Sequence, residues 1–299
     1  MENLLGLPYP GRISGARGSL EFKRSIRTIQ DDPNAVELTL YRIELDEATL
    51  SSIRRVMLSR KWKSIAIHDC SDRVDGVIHA ALEHAVRVEF SGGVEEELSR
   101  AISFGLRSED CYTRKFCFNG ANISLAGAAI LAEGLGSCRA LQEFALTNCR
   151  PSSGIITSLL GSNTRLRALY LCDCFLEEDN VAQIAQKLSC HPFLKQLWLN
   201  GKQSFGQEGA LLLLEALKKH LNLEHMQLPR TFDCTAKMQE YMELNRSGRR
   251  LLGDPSAPLA LWPLVLERVG RLSGLTKDSR ANILYFFVNQ LHGRERFRL

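Results

Sequence analysis

The sequence predicts an α/β fold: a curved solenoid of repeated units with parallel inner strands and outer helices, closed by a C-terminal helical cap. Three observations carry this reading. First, the line LRALYLCDC, Leu166 to Cys174, puts Leu166, Leu169 and Leu171 on one side and Ala168, Tyr170, Cys172 and Asp173 on the other, the pattern of a short strand with one buried face. Second, the line returns as WKSIAIHDC from Trp62, LQEFALTNC from Leu141, LKQLWLNGK from Leu194 and LEHMQLPRT from Leu223. Third, the apolar residues between these lines recur at helical spacing.

The units are counted by the second apolar residue of each strand. These are Leu38, Ile65, Val88, Phe116, Phe144, Leu169, Leu197 and Met226, spaced 27, 23, 28, 28, 25, 28 and 29 residues apart. Helical runs follow the strands: Leu50, Ile53 and Val56 after the first; Ile123, Gly127, Ile130, Leu131 and Leu135 after Phe116 to Phe118. Val181, Ile184, Ala185 and Leu188 follow Leu171, and Gly209, Leu212, Leu213, Leu214 and Leu217 follow Leu199. The unit around VRVEFSGG, reached after only 23 residues, departs most from the pattern and is expected to carry an irregular or shortened helix.

A repeat of this length written L-x-x-L-x-L-x-x-N/C-x-L resembles the leucine-rich repeat. Units near 28 residues with a full helix are similar to the ribonuclease-inhibitor type. The resemblance covers roughly residues 35 to 240 and implies a horseshoe, because strands about 4.8 Å apart line one side while wider helices line the other.

Taken in order, residues 1–31 read as a flexible arm rich in Gly and Pro, residues 32–244 as about eight repeats, and residues 245–299 as a helical cap. Met238, Tyr241, Met242 and Leu244 fit a last helix of the stack. Beyond the breaks at Gly248 and Gly253, PLALWPLVLERV and ANILYFFVNQL fit two amphipathic helices. With LNRSGRRLL, they resemble the tail of many leucine-rich-repeat proteins of diatoms and related algae, which implies no activity.

Composition narrows the function. The net charge of +4 divides into five basic and three acidic residues in 1–31, 23 and 27 in 32–244, and ten and four in 245–299. The basic tail interleaves its charges with apolar residues, as a solvated helix face does. With no run of 18 apolar residues and no signal-peptide pattern, the chain is expected in the cytoplasm, the nucleus remaining open, with no membrane contact. Glu2, Glu21 and the early Pro and Gly residues argue against a transit peptide. The nine cysteines include no C-x-x-C and are expected as reduced thiols; Cys172 and Cys174 are the one hint of a metal or redox pair, without further ligands nearby.

Neither a phosphate-binding glycine loop, H-E-x-x-H nor G-x-S-x-G occurs, so no catalytic residue, metal or cofactor is assigned. Binding suits the inner face better, where positions three, five, seven and eight of each strand are expected to point. The last three strands place Tyr170, Asp173, Trp198, Asn200, His225, Gln227 and Arg230 there. Exposed aromatics flanked by these polar groups have the composition of a protein-interface hot spot. An aromatic pair that only stabilises the sheet is the competing reading. The earlier strands carry mixed, mostly small residues with no strip of one sign, which argues against nucleic acid.

The expected function is a non-enzymatic, monomeric scaffold that holds a protein partner. Two alternatives come from other classes. The activating proteins of the nuclear-transport GTPase use a similar repeat, which implies regulation of a small GTPase, although the acidic tail common there is missing and no functional residue is matched. Use as a ubiquitin-ligase adaptor is the third, although PLALWPLVLERV does not match the usual F-box spacing.

Overall fold

A computed structural model describes residues 12–14, 20–41, 47–69, 75–189, 191–201, 205–248 and 250, with scattered positions between 263 and 285. The first half runs β1 (Arg12–Ser14), α1 (Leu20–Asp31), β2 (Glu37–Tyr41), α2 (Glu47–Leu58), β3 (Trp62–His68), α3 (Asp75–His84), β4 (Ala85–Ser91), β5 (Gly93–Val94) and α4 (Glu96–Arg107). The second runs β6 (Lys115–Asn119), β7 (Asn122–Ile123), α5 (Leu125–Ser137), β8 (Glu143–Thr147), α6 (Ser153–Ser162), β9 (Ala168–Cys172), α7 (Glu178–Leu188), β10 (Gln196–Trp198), α8 (Gln207–Lys219), β11 (His225–Gln227) and α9 (Thr235–Arg246).

All strands but β5 and β7 join one parallel sheet in chain order, and those two pair separately. The register follows the repeat. Leu38, Ile65, Val88, Phe116, Phe144, Leu169, Leu197 and Met226 pair in an unbroken row across β2 to β11. Because side chains alternate along a strand, one row in register puts the whole apolar set on one face. That face is the core, with the apolar pairs from Leu38 and Leu40 to Leu197 and Leu199 buried. Phe90, Phe116, Phe118 and Phe144 stack through its middle with ring centroids 5.1 to 6.4 Å apart. Each helix packs on the next in sequence, so the units contact their neighbours and the chain is a parallel-sheet α/β repeat.

Several expectations change. The expected arm carries β1, which pairs with β2, and α1, whose Ile26 and Ile29 are buried. Arg60 fixes α1, its guanidinium donating to the carbonyls of Asp32 at 2.6 Å and Gln30 at 3.2 Å. After VRVEFSGG the helix α4 is a regular 12 residues; the shortening falls at the joint before it, where α3 ends at His84 and β4 begins at Ala85 with no loop. Leu212 is exposed, and Ala210 takes its place in the core. Helix α9 forms as expected, with Met238, Met242 and Leu244 buried. The two tail helices fall outside the described residues, apart from isolated positions.

The eighth position of the unit proves to be a backbone device. Asp69, Asn148 and Asp173 have φ of 49°, 53° and 52°, and Gly92, Gly120 and Gly201 have 99°, 63° and 97°. Only Gly, and less readily Asn or Asp, adopts this left-handed turn without strain. The turn keeps the ladder going past the strand end: the N–H of Gly120 donates to Thr147 O at 2.7 Å, that of Asn148 to Cys172 O at 3.0 Å and that of Asp173 to Asn200 O at 2.8 Å.

A second polar series sits three residues before the leading leucine. Asn163 donates from Nδ2 to the carbonyls of Leu135 and Cys138 at 2.9 and 3.2 Å, and its Oδ1 accepts the Arg165 N–H at 3.0 Å. His191 does the same with a ring. Its Nε2 donates to Asn163 O at 2.9 Å while Nδ1 accepts the N–H groups of Leu194 and Phe193 at 3.0 and 3.3 Å. His220 accepts from Leu223 and Asn222, and Asn245 donates back to His220 O and Leu223 O.

A Cβ on Gly134 would lie 2.6 Å from the Ser103 Cα of the neighbouring helix, so Gly134→Ala is expected to destabilise by ~1–3 kcal/mol in denaturant titration, against little change for Gly76→Ala, which has open space. Burial lowers the His191 pKa, against a smaller opposing effect of its bond to Asn163. The folded pKa then lies below the unfolded value of about 6.5, so this contribution is full above that pH and is lost as pH falls through the folded pKa. His191→Asn keeps the donor and acceptor pattern of Asn163 without the titration. Its Tm is expected to fall less than that of the parent between neutral and mildly acidic pH.

Candidate protein-binding surface

With the apolar face consumed by the helices, the opposite face of the sheet is what each strand leaves open. Tyr170, Trp198 and Gln227 lie in register across β9, β10 and β11, with Gln196 and His225 in the row beside them. The Tyr170 and Trp198 rings are 5.8 Å apart and tilted by 44°, and the Tyr170 hydroxyl donates to Gln196 Oε1 at 3.1 Å. Trp198 is half-buried, and its indole Nε1–H has no hydrogen-bond acceptor. Burial, then the neighbouring Glu143 and Cys172, raises the Tyr170 pKa, so the phenol stays protonated and remains a donor.

The other expected site residues divide. Gln227 and His225 are exposed, and His225 Nδ1 lies 3.4 Å from the Arg246 guanidinium. Asp173 and Asn200 belong to the turns that end β9 and β10, where Asp173 holds its left-handed φ and its side chain packs against Gly201. Asp173 thus has a backbone role in the turn. Arg230 lies over the Phe232 ring of its own unit at 5.0 Å and donates to Phe205 O of the preceding unit at 3.4 Å. Ala168, expected on the open face, is covered by its neighbours.

Charge on this surface is largely self-neutralised. Arg87 pairs with Glu89 at 2.8 Å, Lys115 with Glu143 at 2.9 Å, Lys63 with Glu37 at 3.1 Å and Lys195 with Glu224 at 2.7 Å. Exposed pairs of this kind add little stability, but they leave no continuous strip of one sign. Between Arg87, Lys115, Glu143 and Tyr170 the face sinks into a hollow of about 220 Å³. A second, of about 290 Å³, lies between β11 and α9, lined by Met226, Arg230, Met238 and Met242 among others.

The thiols near this face are held in their protonated form. Burial pushes Cys117 up to about 12 and also raises Cys172. Cys174 is buried while Cys172 is half-exposed, and each Cys174 and Cys149 thiol donates to backbone carbonyls, so the Cys172 and Cys174 pair suggested by spacing does not assemble. Among the described residues no three His, Cys, Asp or Glu side chains cluster as metal ligands do, and no helix is long and apolar enough to cross a membrane. Sequence reading missed the clips Asn163, His191, His220 and Asn245. For the first three the signal was a polar residue recurring three places before the first leucine of the line, and Asn245 follows His220 by 25 residues.

No family model and no curated protein matches the chain. Among solved structures it is similar to the tropomodulin C-terminal domain from Caenorhabditis elegans, at 17% identity over 52% of this chain and 99% of that one, with a TM-score of 0.44. It is also similar to the leiomodin-1 actin-binding site 2, at 14% identity over 63% of this chain and all of that one, with a TM-score of 0.42.

Proposed function

We propose that the chain is a non-enzymatic scaffold that binds one protein partner on the open face of its sheet, centred on Tyr170, Trp198 and Gln227. The observation that carries this reading is the registered row itself. Two aromatic rings stand beside amides on a surface without single-sign charge. Large rigid rings with a polar handle are the residues on which protein interfaces concentrate their energy. In this reading the units are of the ribonuclease-inhibitor type and the stack curves with the sheet inside, since strands about 4.8 Å apart face helices about 8–10 Å apart. The scaffold works as a monomer in a reducing compartment, the cytoplasm or nucleus, in keeping with the free thiols, and engages neither nucleic acid nor membrane.

The test is affinity capture with crosslinking and mass spectrometry, comparing the parent with Tyr170→Ala plus Trp198→Ala. One protein is expected to disappear from the capture, because each hot-spot truncation costs about 2 kcal/mol of binding or more. The circular dichroism spectrum should stay unchanged, since neither ring belongs to the core. An unchanged capture would refute the assignment and reduce the two rings to sheet packing.

A further inference from the structure

The thiol pair that the fold does assemble joins residues of consecutive units. Cys111 Sγ and Cys138 Sγ lie 4.0 Å apart. Cys111 is partly exposed in the connection between α4 and β6; Cys138 is buried and follows the last turn of α5. Both occupy helix-to-strand joints rather than strand centres. The remaining separation to a disulfide, whose S–S bond is about 2.05 Å, is within reach of side-chain rotation and a small shift of the joint.

We propose that Cys111 and Cys138 form a reversible disulfide, an oxidation site that staples two neighbouring units. The two thiols are unequal in a useful way. The hydrogen bond from Cys111 comes first among the effects that bring the Cys138 thiol down to about 7, with the backbone groups of Ala140 and Leu141 helping and burial opposing. The same hydrogen bond, followed by burial, raises Cys111. Cys111 is the exposed thiol that a small disulfide reaches first, and Cys138 stands 4.0 Å behind it to attack the mixed disulfide.

The oxidant is a low-molecular-weight disulfide. Cys111, losing its proton, attacks one sulfur of it, forming a mixed disulfide and releasing the first small thiolate. The Cys138 thiolate then attacks the Cys111 sulfur, closing the protein disulfide and expelling the second. The protein dithiol loses two electrons, the small disulfide gains them, and the two thiol protons leave on the two small thiols. The staple also reaches a third unit, because the Cys138 carbonyl accepts the Asn163 amide at 3.2 Å.

Full-length protein equilibrated in a series of reduced and oxidised glutathione buffers, acid-quenched, alkylated and mapped by mass spectrometry tests this directly. The expected result is a Cys111–Cys138 linked peptide that grows with the oxidised fraction, disappears on reduction and accompanies a higher Tm. In Cys138→Ala, glutathione is expected to stay on Cys111 instead of being expelled. Absence of the linked peptide from natively folded parent protein across the series would overturn the proposal, as would preferential linkage of either cysteine elsewhere. The parent map decides the question even if Cys138→Ala fails to fold; in that event Cys138→Ser carries the trapping arm.

Discussion

Each helix ends with carbonyls that its own unit cannot satisfy, and much of this structure depends on the next unit supplying the donor. Arg60 serves the end of α1, Thr113 shares its hydroxyl between Leu82 O and Ala85 O, Asn163 serves the end of α5, and Asn245 does so at the C-terminal side. A satisfied buried hydrogen bond contributes only about 1 kcal/mol, but a buried carbonyl left without a partner costs about 1–3 kcal/mol. The clips therefore act less as glue than as a condition: a unit is complete only when its successor is in place. Aromatic packing from Phe90 to Phe144 then extends the same dependence through the core.

That dependence leaves one large surface unspent. Helices cover the apolar face of every strand, neighbouring units cover each other, and the polar positions of the strands remain on the other side. Tyr170 and Trp198 stand out there as two aromatic rings in contact, near residues paired in opposite charges. The last strand is also the least covered, Met226 being only partly buried, so the aromatic row lies near an end of the described sheet.

The alternation in LRALYLCDC and its returns gave all eight register positions from Leu38 to Met226, since period-two burial in a parallel stack leaves no other in-phase solution. It misled at the eighth position. There the alternation stops, and Asp69, Asn148 and Asp173 serve a left-handed turn that composition presents as a polar surface. Nor did it show where Arg230 turns: the side chain reaches Phe232 of its own unit and Phe205 of the unit before, contacts that spacing along one strand does not encode. The Gly and Pro residues before residue 20 concealed β1 and α1, whose order comes from pairing with β2 and from Arg60, which lies 28 residues beyond Asp32.

By itself the sequence determined the repeat, its strand register and which face of each strand is buried, because those follow from local periodicity and must agree in every unit. Tertiary structure alone decided which polar residues clip one unit to the next and which thiols meet. Cys172 and Cys174 are two residues apart yet lie in different surroundings, while Cys111 and Cys138, 27 residues apart, touch. The physical reason is the stack: it brings together residues one repeat apart and sends close neighbours to opposite sides of a turn.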